Sequence, residues 1–323
     1  MPQPDLQLGY SSDEDAPTTE HRETDDRKPI QKFLRGYTTF DLIPDSGKVI
    51  VLDSNLSYLD VVFALGENEL SSAPIWNSME SRIQAMCTIT DIIKVAIIAF
   101  DAITDECSWH DGLRRAVIGE NLAQANDIFH ALPDTTLFDS LITLETNKKH
   151  RLPVLSKNKD NVLHIISHRR IIRFLVSKYR RRGEILAQLL DSLPIGTVAQ
   201  DIISIRCEDL LIDTMKLFID KRISVLPVVD GNGCVIELVS KSSLLLFFYR
   251  SKEIHSTNLT VDDLLSFRVD SDEGLVVIEQ TATLEEAMSI IAKQRIHRVV
   301  MLKADGTIHK LITVSDIMGY FVD

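Results

Sequence analysis

Paired cysteines, long apolar runs and any surplus of positive charge are missing from this chain of 323 residues. Each absence removes a class of function. The four cysteines, Cys87, Cys107, Cys207 and Cys234, lie far apart with no CxxC pairing. Neither a zinc site nor a disulfide framework is therefore expected, and scattered thiols suit a reducing, cytoplasmic or nuclear compartment. The longest apolar runs, such as residues 244–248, fall far short of the roughly 20 residues that span a bilayer. The first residues are acidic and hydrophilic and do not read as a secretory signal. A net charge of -12 argues against sequence-independent binding to nucleic acid, which works by neutralising phosphates, so any basic site has to be local. No GxxxxGKS or GxxxxGKT loop, no HExxH and no GxSxG occurs, which removes a Walker-type ATPase, a zinc protease and a standard serine hydrolase. The chain does not read as an enzyme. The remaining composition, 45% apolar and 25% charged, is that of a globular protein long enough for two domains.

Repetition is what the chain does have. From Phe40 onward one pattern occurs four times. The first copy has an apolar strand at 49–52, capping chemistry in Asp53, Ser54 and Asn55, and a helix from Leu56 through Phe63. Strands at 73–76 and 85–87 follow, then a closing helix at 92–96. Later copies place Leu137, Leu141 and Leu144, then Leu211, Met215 and Phe218, then Leu284, Ala287, Met288 and Ile291 at helical spacing before a strand pair. Pro74, Pro153, Pro227 and Val300 are equivalent in register. They precede Asp91, Arg170, Ser243 and Asp316 by 17, 17, 16 and 16 residues. The expected division is an acidic disordered tail at 1–32, repeats at 33–100, 123–183, 197–256 and 257–323, and linkers at 101–122 and 184–196. Four small amphipathic units would pair to bury their helix faces.

Two basic groups stand out inside the second copy. His150 and Arg151 precede one strand, and His168, Arg169 and Arg170 follow the next and open a helix. His297 and Arg298 repeat the first pair at the equivalent place in the fourth copy. Like charges gathered at one place repel unless an anion compensates them. A further run, Lys178 to Arg182, ends a helix and suits the helix dipole and solvent.

Ala73-Pro74-Ile75 with Thr88-Ile89-Thr90-Asp91, and Leu226-Pro227-Val228-Val229-Asp230 with Val239-Ser240-Lys241, resemble cystathionine-β-synthase (CBS) repeats. Four in tandem resemble the gamma regulatory subunits of AMP-activated protein kinase. Residues 37–44, His150-Arg151-Leu152-Pro153-Val154, 193–197 and His297-Arg298-Val299-Val300 carry that likeness. The resemblance implies an α/β fold of four strand-helix-strand-strand-helix repeats, paired into two modules that form a flat disk. It implies AMP, ADP or ATP bound near the centre as regulatory ligands, without a prosthetic group or metal. It also implies catalytic alpha and scaffolding beta subunits of a Ser/Thr kinase as partners. Asp91 and Asp316 would take ribose. His150, Arg151, Arg169, His297 and Arg298 would take phosphate, with Thr88, Thr90, Ser224, Thr313 and Ser315 in support. An aspartate at a helix start also reads as a helix cap.

Departures from the family are as informative. Ser71 stands where the first repeat of the family carries an arginine, and Ser243 replaces the ribose-binding aspartate of the third repeat. Arg170 replaces that of the second, as in the family. Two ribose-competent crevices are expected, with the Ser243 crevice impaired. A scaffold that has lost sensing, or a CBS regulator of a transporter or metabolic enzyme, are the rival readings.

Overall fold

The computed structural model describes residues 25–44, 47–103, 108–122, 128–179, 184–251, 256–269 and 274–322. Most of the expected acidic tail, together with Cys107 and Arg180 to Arg182, lies outside them. After a leading helix, α1 (Lys28–Arg35), the first unit comprises β1 (Leu52–Asp53), α2 (Tyr58–Glu67), β2 (Ser72–Asn77), β3 (Arg82–Thr88) and α3 (Ile89–Asp101). Two helices follow, α4 (Trp109–Arg115) and α5 (Ile118–Leu122). The second unit has α6 (Leu137–Thr146), β4 (Arg151–Leu155), β5 (Val162–Ser167) and α7 (His168–Lys178), followed by a short α8 (Glu184–Ala187). The third unit has β6 (Thr197–Val198), α9 (Leu211–Asp220), β7 (Val225–Val229), β8 (Val235–Ser240) and α10 (Lys241–Arg250), and α11 (Val261–Ser266) comes after it. The fourth has β9 (Val277–Ile278), α12 (Leu284–Gln294), β10 (Arg298–Leu302), β11 (Ile308–Thr313) and α13 (Val314–Tyr320).

Register shows that these are copies of one design. Pro74 faces Met86, Pro153 faces Ile165, Pro227 faces Leu238 and Val300 faces Leu311. Each hairpin then slips at the same place, between Ile75 and Trp76, Val154 and Leu155, Val228 and Val229, and Met301 and Leu302. A parallel partner joins each at the residue after the proline position or next to it: Leu52 on Ile75, Ala131 on Val154, Ile205 on Val228, Val277 on Val300. Closing helices start abruptly because a hydroxyl or carboxylate is ready to hold their first amides. Thr88 with Asp91, Ser240 with Ser243 and Thr313 with Asp316 form reciprocal capping boxes. The opening helix α2 uses Ser57 with Asp60 in the same way. The expected cap at Asp53 to Asn55 is instead a turn, in which Asp53 Oδ1 accepts from the backbone and side-chain amides of Asn55.

Burial of helix faces joins non-consecutive units. One core runs from Leu52 and Val62 through Phe100 and Trp109 to Phe218 and Phe248, so the first unit packs on the third. A second core runs from Leu141 and Ile172 to Ile291 and Ile317, packing the second unit on the fourth. A smaller apolar layer of Val225, Leu238, Val300 and Leu311 joins the hairpins of the third and fourth. The third and fourth units thus each touch two others.

Two expected segments read differently in the structure. The tail placed at 1–32 gives way to α1 at Lys28, because Ile30 and Leu34 are wholly buried in the second core. The linker at 101–122 is not polar filler: Trp109, Leu113 and Ile118 belong to the first core. Val261 and Leu264 of α11, inside the expected fourth repeat at 257–323, also pack into that core. Close packing of α4 on α3 depends on Gly112, where a Cβ would stand 2.4 Å from the Ala99 Cβ. Gly112→Ala should push the helices apart and cost about 1–2 kcal/mol, read as a lowered urea midpoint. No helix among the described residues is long and apolar enough to cross a membrane.

Candidate functional site

Several residues that stand at or just before the start of a hairpin or closing helix make contacts between units. Arg151 opens β4 opposite Ser167, and Arg298 opens β10 opposite Thr313, the same register position in the second and fourth units. Arg151 donates through Nη2 to Ser71 Oγ of the first unit. Burial, followed by the nearby charges of Arg169 and Arg170, pushes its guanidinium down to about 10. Cations crowded in this way are stabilised by an anion among them. Arg169 donates through Nη1 to the Arg295 carbonyl at the end of α12, tying the second unit to the fourth. Arg298 is buried, and the His297 carbonyl accepts from the Val314 amide at 2.9 Å.

His150 reaches the fourth unit, its Nδ1 3.2 Å from Ser315 Oγ and its ring 6.1 Å from that of His168. The residue as a whole is exposed. Surrounding protein nevertheless removes enough water, with His168, Lys241 and Arg151 adding and Glu145 opposing, to push this imidazole down to about 4. At neutral pH His150 is therefore an uncharged hydrogen-bonding group. The third unit contributes Lys241, whose Nζ donates to Thr90 Oγ1 at 3.1 Å. Burial and then Lys94 lower its ammonium pKa, while Asp91 draws it back up. Side chains of all four units are thus within reach of one centre.

Both candidate aspartates are helix caps as well. Asp91 Oδ2 accepts from the Thr88 amide at 2.9 Å and hydroxyl at 2.7 Å. Asp316 Oδ2 accepts from the Thr313 amide at 2.8 Å, while the Asp316 amide donates to Thr313 Oγ1 at 3.2 Å. Capping and ribose binding do not compete for one atom, because Oδ1 of each carboxylate has no hydrogen-bond donor among the described residues. Burial raises the Asp316 pKa, with Glu145 adding, against the hydrogen bonds from Thr313. Ser224 stands exposed at the third unit's equivalent of His150.

The Ser243 crevice is filled. Arg268 donates through Nη2 to the Leu238 carbonyl and, at 3.2 Å, to Ser243 Oγ, with Nη1 2.9 Å from Glu237 Oε2. A void of about 20 Å³, room for roughly one water, remains among Ser240, Ser243, Phe247, Arg250 and Arg268. Arg170, in the second unit, has its pKa lowered by burial and by Arg173 and Arg169.

Sequence reasoning gave no site role to Lys241, Glu145 or Arg268, and it singled out His168 only as part of a basic cluster. Lys241 could have been found from register alone, since it stands where the other units have Ile89, His168 and Val314. Nothing in the sequence pointed to Arg268, which lies outside the repeat pattern.

The CBS domain family model matches residues 124–177, 195–250 and 259–323. The first unit falls outside the match but has the same order of elements. The chain is 29% identical over 302 residues to the 5'-AMP-activated protein kinase subunit gamma of Dictyostelium discoideum, an alignment covering 90% of this chain and 52% of that protein. It is 28% identical over 304 residues to the human subunit gamma-3, covering 92% of this chain and 62% of that one. It thus spans about half to three-fifths of the length of these relatives. Among solved structures, a Methanocaldococcus jannaschii protein described as an archaeal homologue of the kinase's gamma subunit superposes with a TM-score of 0.68. Identity there is 14%, over 88% of this chain and 99% of that one, so the likeness is one of fold. With more than half its length matched by the model and four copies of one hairpin register, the chain belongs to the CBS-domain family and is similar to the gamma subunits of 5'-AMP-activated protein kinase.

Proposed function

We propose that this chain is a non-catalytic regulatory subunit that senses adenine nucleotides for a heterotrimeric kinase of the AMP-activated type. The observation that carries the reading is Arg151, half-buried and bonded to Ser71 with Arg169 and Arg170 near it. A phosphate group is the anion that would compensate this cluster, and Arg holds phosphate with two parallel hydrogen bonds. In this reading Arg151, Arg169, His150, His297 and Arg298 take phosphate, and Lys241 adds a cation from the third unit. Oδ1 of Asp91 and of Asp316 takes ribose, with Thr88, Thr90, Thr313 and Ser315 beside them. Kinase alpha and beta subunits are the partners, a reading that follows the similarity to gamma subunits. Nucleotide acts as a population shift, contributing only its difference in affinity between two states of the assembly.

Calorimetric titration with AMP and ATP tests the reading. Saturable binding is expected, and none at millimolar ligand would overturn it. Asp91→Ala and Asp316→Ala should each weaken one crevice about tenfold, the worth of a charge-assisted hydrogen bond. The occupied third crevice and Ser71 favour a second reading, a kinase scaffold with reduced sensing. Under it, both substitutions leave nucleotide response unchanged while the kinase still assembles.

A further inference from the structure

A line of polar side chains runs from the end of α6 to the hub. Glu145 Oε1 lies 2.8 Å from His168 Nε2, and the His168 side chain is only 5% exposed. The approach is oblique to the ring, so neither atom completes a linear hydrogen bond. On the far side of the ring, His168 Nδ1 is 3.5 Å from Ser315 Oγ, which is 3.2 Å from His150 Nδ1. The line passes from the second unit to the fourth and back. His150 Nε2 has no hydrogen-bond partner among the described residues and is the nitrogen left for a ligand.

Counting protons gives this line two arrangements. Ser315 has one hydroxyl proton, and a neutral imidazole has one ring proton. When neutral His168 keeps its proton on Nε2 against Glu145, its Nδ1 only accepts and takes the Ser315 proton. Ser315 then accepts from His150 Nδ1, and His150 Nε2 presents a lone pair that repels an anion. When His168 holds two protons, its Nδ1 donates to Ser315, and the hydroxyl turns to His150 Nδ1. His150 must then place its single proton on Nε2, where it can donate to a phosphate oxygen.

We propose that Glu145 and His168 are positioning residues for the phosphate site, Glu145 holding a second proton on His168 so that His150 Nε2 becomes a donor. An arriving phosphate selects that arrangement, so binding takes up a proton although His150 stays neutral. This rests on the nucleotide reading above. Other charged groups facing the line are Arg151 at the start of β4, Lys241 at the start of α10 and Asp316 on α13. Glu145 is the carboxylate in contact with His168.

The test is calorimetric titration of the full chain with AMP from pH 6 to 8, in buffers of different ionisation enthalpy. The parent should take up more protons than the ligand's own titration accounts for. The phosphate's titration, near pH 6, is common to every chain and cancels between them. Glu145→Gln, a neutral partner, should take up fewer protons and bind about tenfold more weakly at pH 6. In His168→Asn an amide nitrogen stands in for Nδ1–H, and binding should persist with the extra uptake gone. Nitrogen-15 spectra of the ligand-free parent at pH 8 should find the His168 proton on Nε2, and one on Nδ1 would overturn the proposal. An unchanged proton uptake in Glu145→Gln would also overturn it while leaving nucleotide binding in place. No AMP binding by any chain would overturn both.

Discussion

Replacing Arg151 with methionine should lower AMP affinity about a hundredfold while raising the melting temperature of the ligand-free chain. The two effects share one cause. Arg151 is half-buried, and loss of water together with the charges of Arg169 and Arg170 pushes it down to about 10, so its charged form is disfavoured before any ligand arrives. Methionine keeps most of the stem's packing and removes the charge. The hydrogen bond to Ser71 is lost, but a serine hydroxyl is replaced at that bond by water more readily than a buried cation is neutralised. Anion binding depends on the same charge, and Ser71, a neutral residue, supplies none from the first unit. Titration with AMP and a thermal melt without it check the pair of outcomes. If the melt falls and affinity holds, Arg151 is a structural tie to Ser71 and the hub is not a phosphate site.

Local repetition was legible in the sequence, and long-range pairing was not. The equivalence of Pro74, Pro153, Pro227 and Val300 can be read from spacing, and it is the central pair of every hairpin. Apolar stripes announced the helices as well, although they say only that a face is buried and not against what. The packing of the first unit on the third, and of the second on the fourth, depends on how two amphipathic surfaces fit. It is this crossing that brings Lys241 to Thr90 and Ser315 to His150. The candidate cations could be named because His-Arg occurs twice at one register. Arg268 could not, because its partners Ser243 and Glu237 are set by a segment with no repeat counterpart. Trp109 was misplaced for a related reason: a polar composition around it hid one large side chain that the first core needs.

Acid should destabilise the ligand-free chain by way of a histidine that no functional argument uses. His164 lies in the middle of β5 opposite Val154, is 3% exposed, and its Nε2 has no hydrogen-bond partner among the described residues. Burial, with Arg170 adding, pushes its imidazole down to about 4. In the unfolded chain a histidine titrates near pH 6.5. Between those values the unfolded chain binds a proton that the native chain refuses, so stability falls as pH drops through about 6.5 and levels off below about 4. The full difference is about 3 kcal/mol, a large share of a typical folding free energy. His150 shifts in the same direction, but its exposure makes its share smaller. His164→Leu removes the protonation without opening a cavity, and the variant should therefore be the more stable chain at pH 5. Urea midpoints at pH 7 and pH 5 for parent and variant isolate this one group, because every carboxylate titrates alike in both. Equal losses in the two chains would place the acid sensitivity elsewhere, with the raised Asp316 carboxyl excluded on sign, since such a group favours the native state as pH falls.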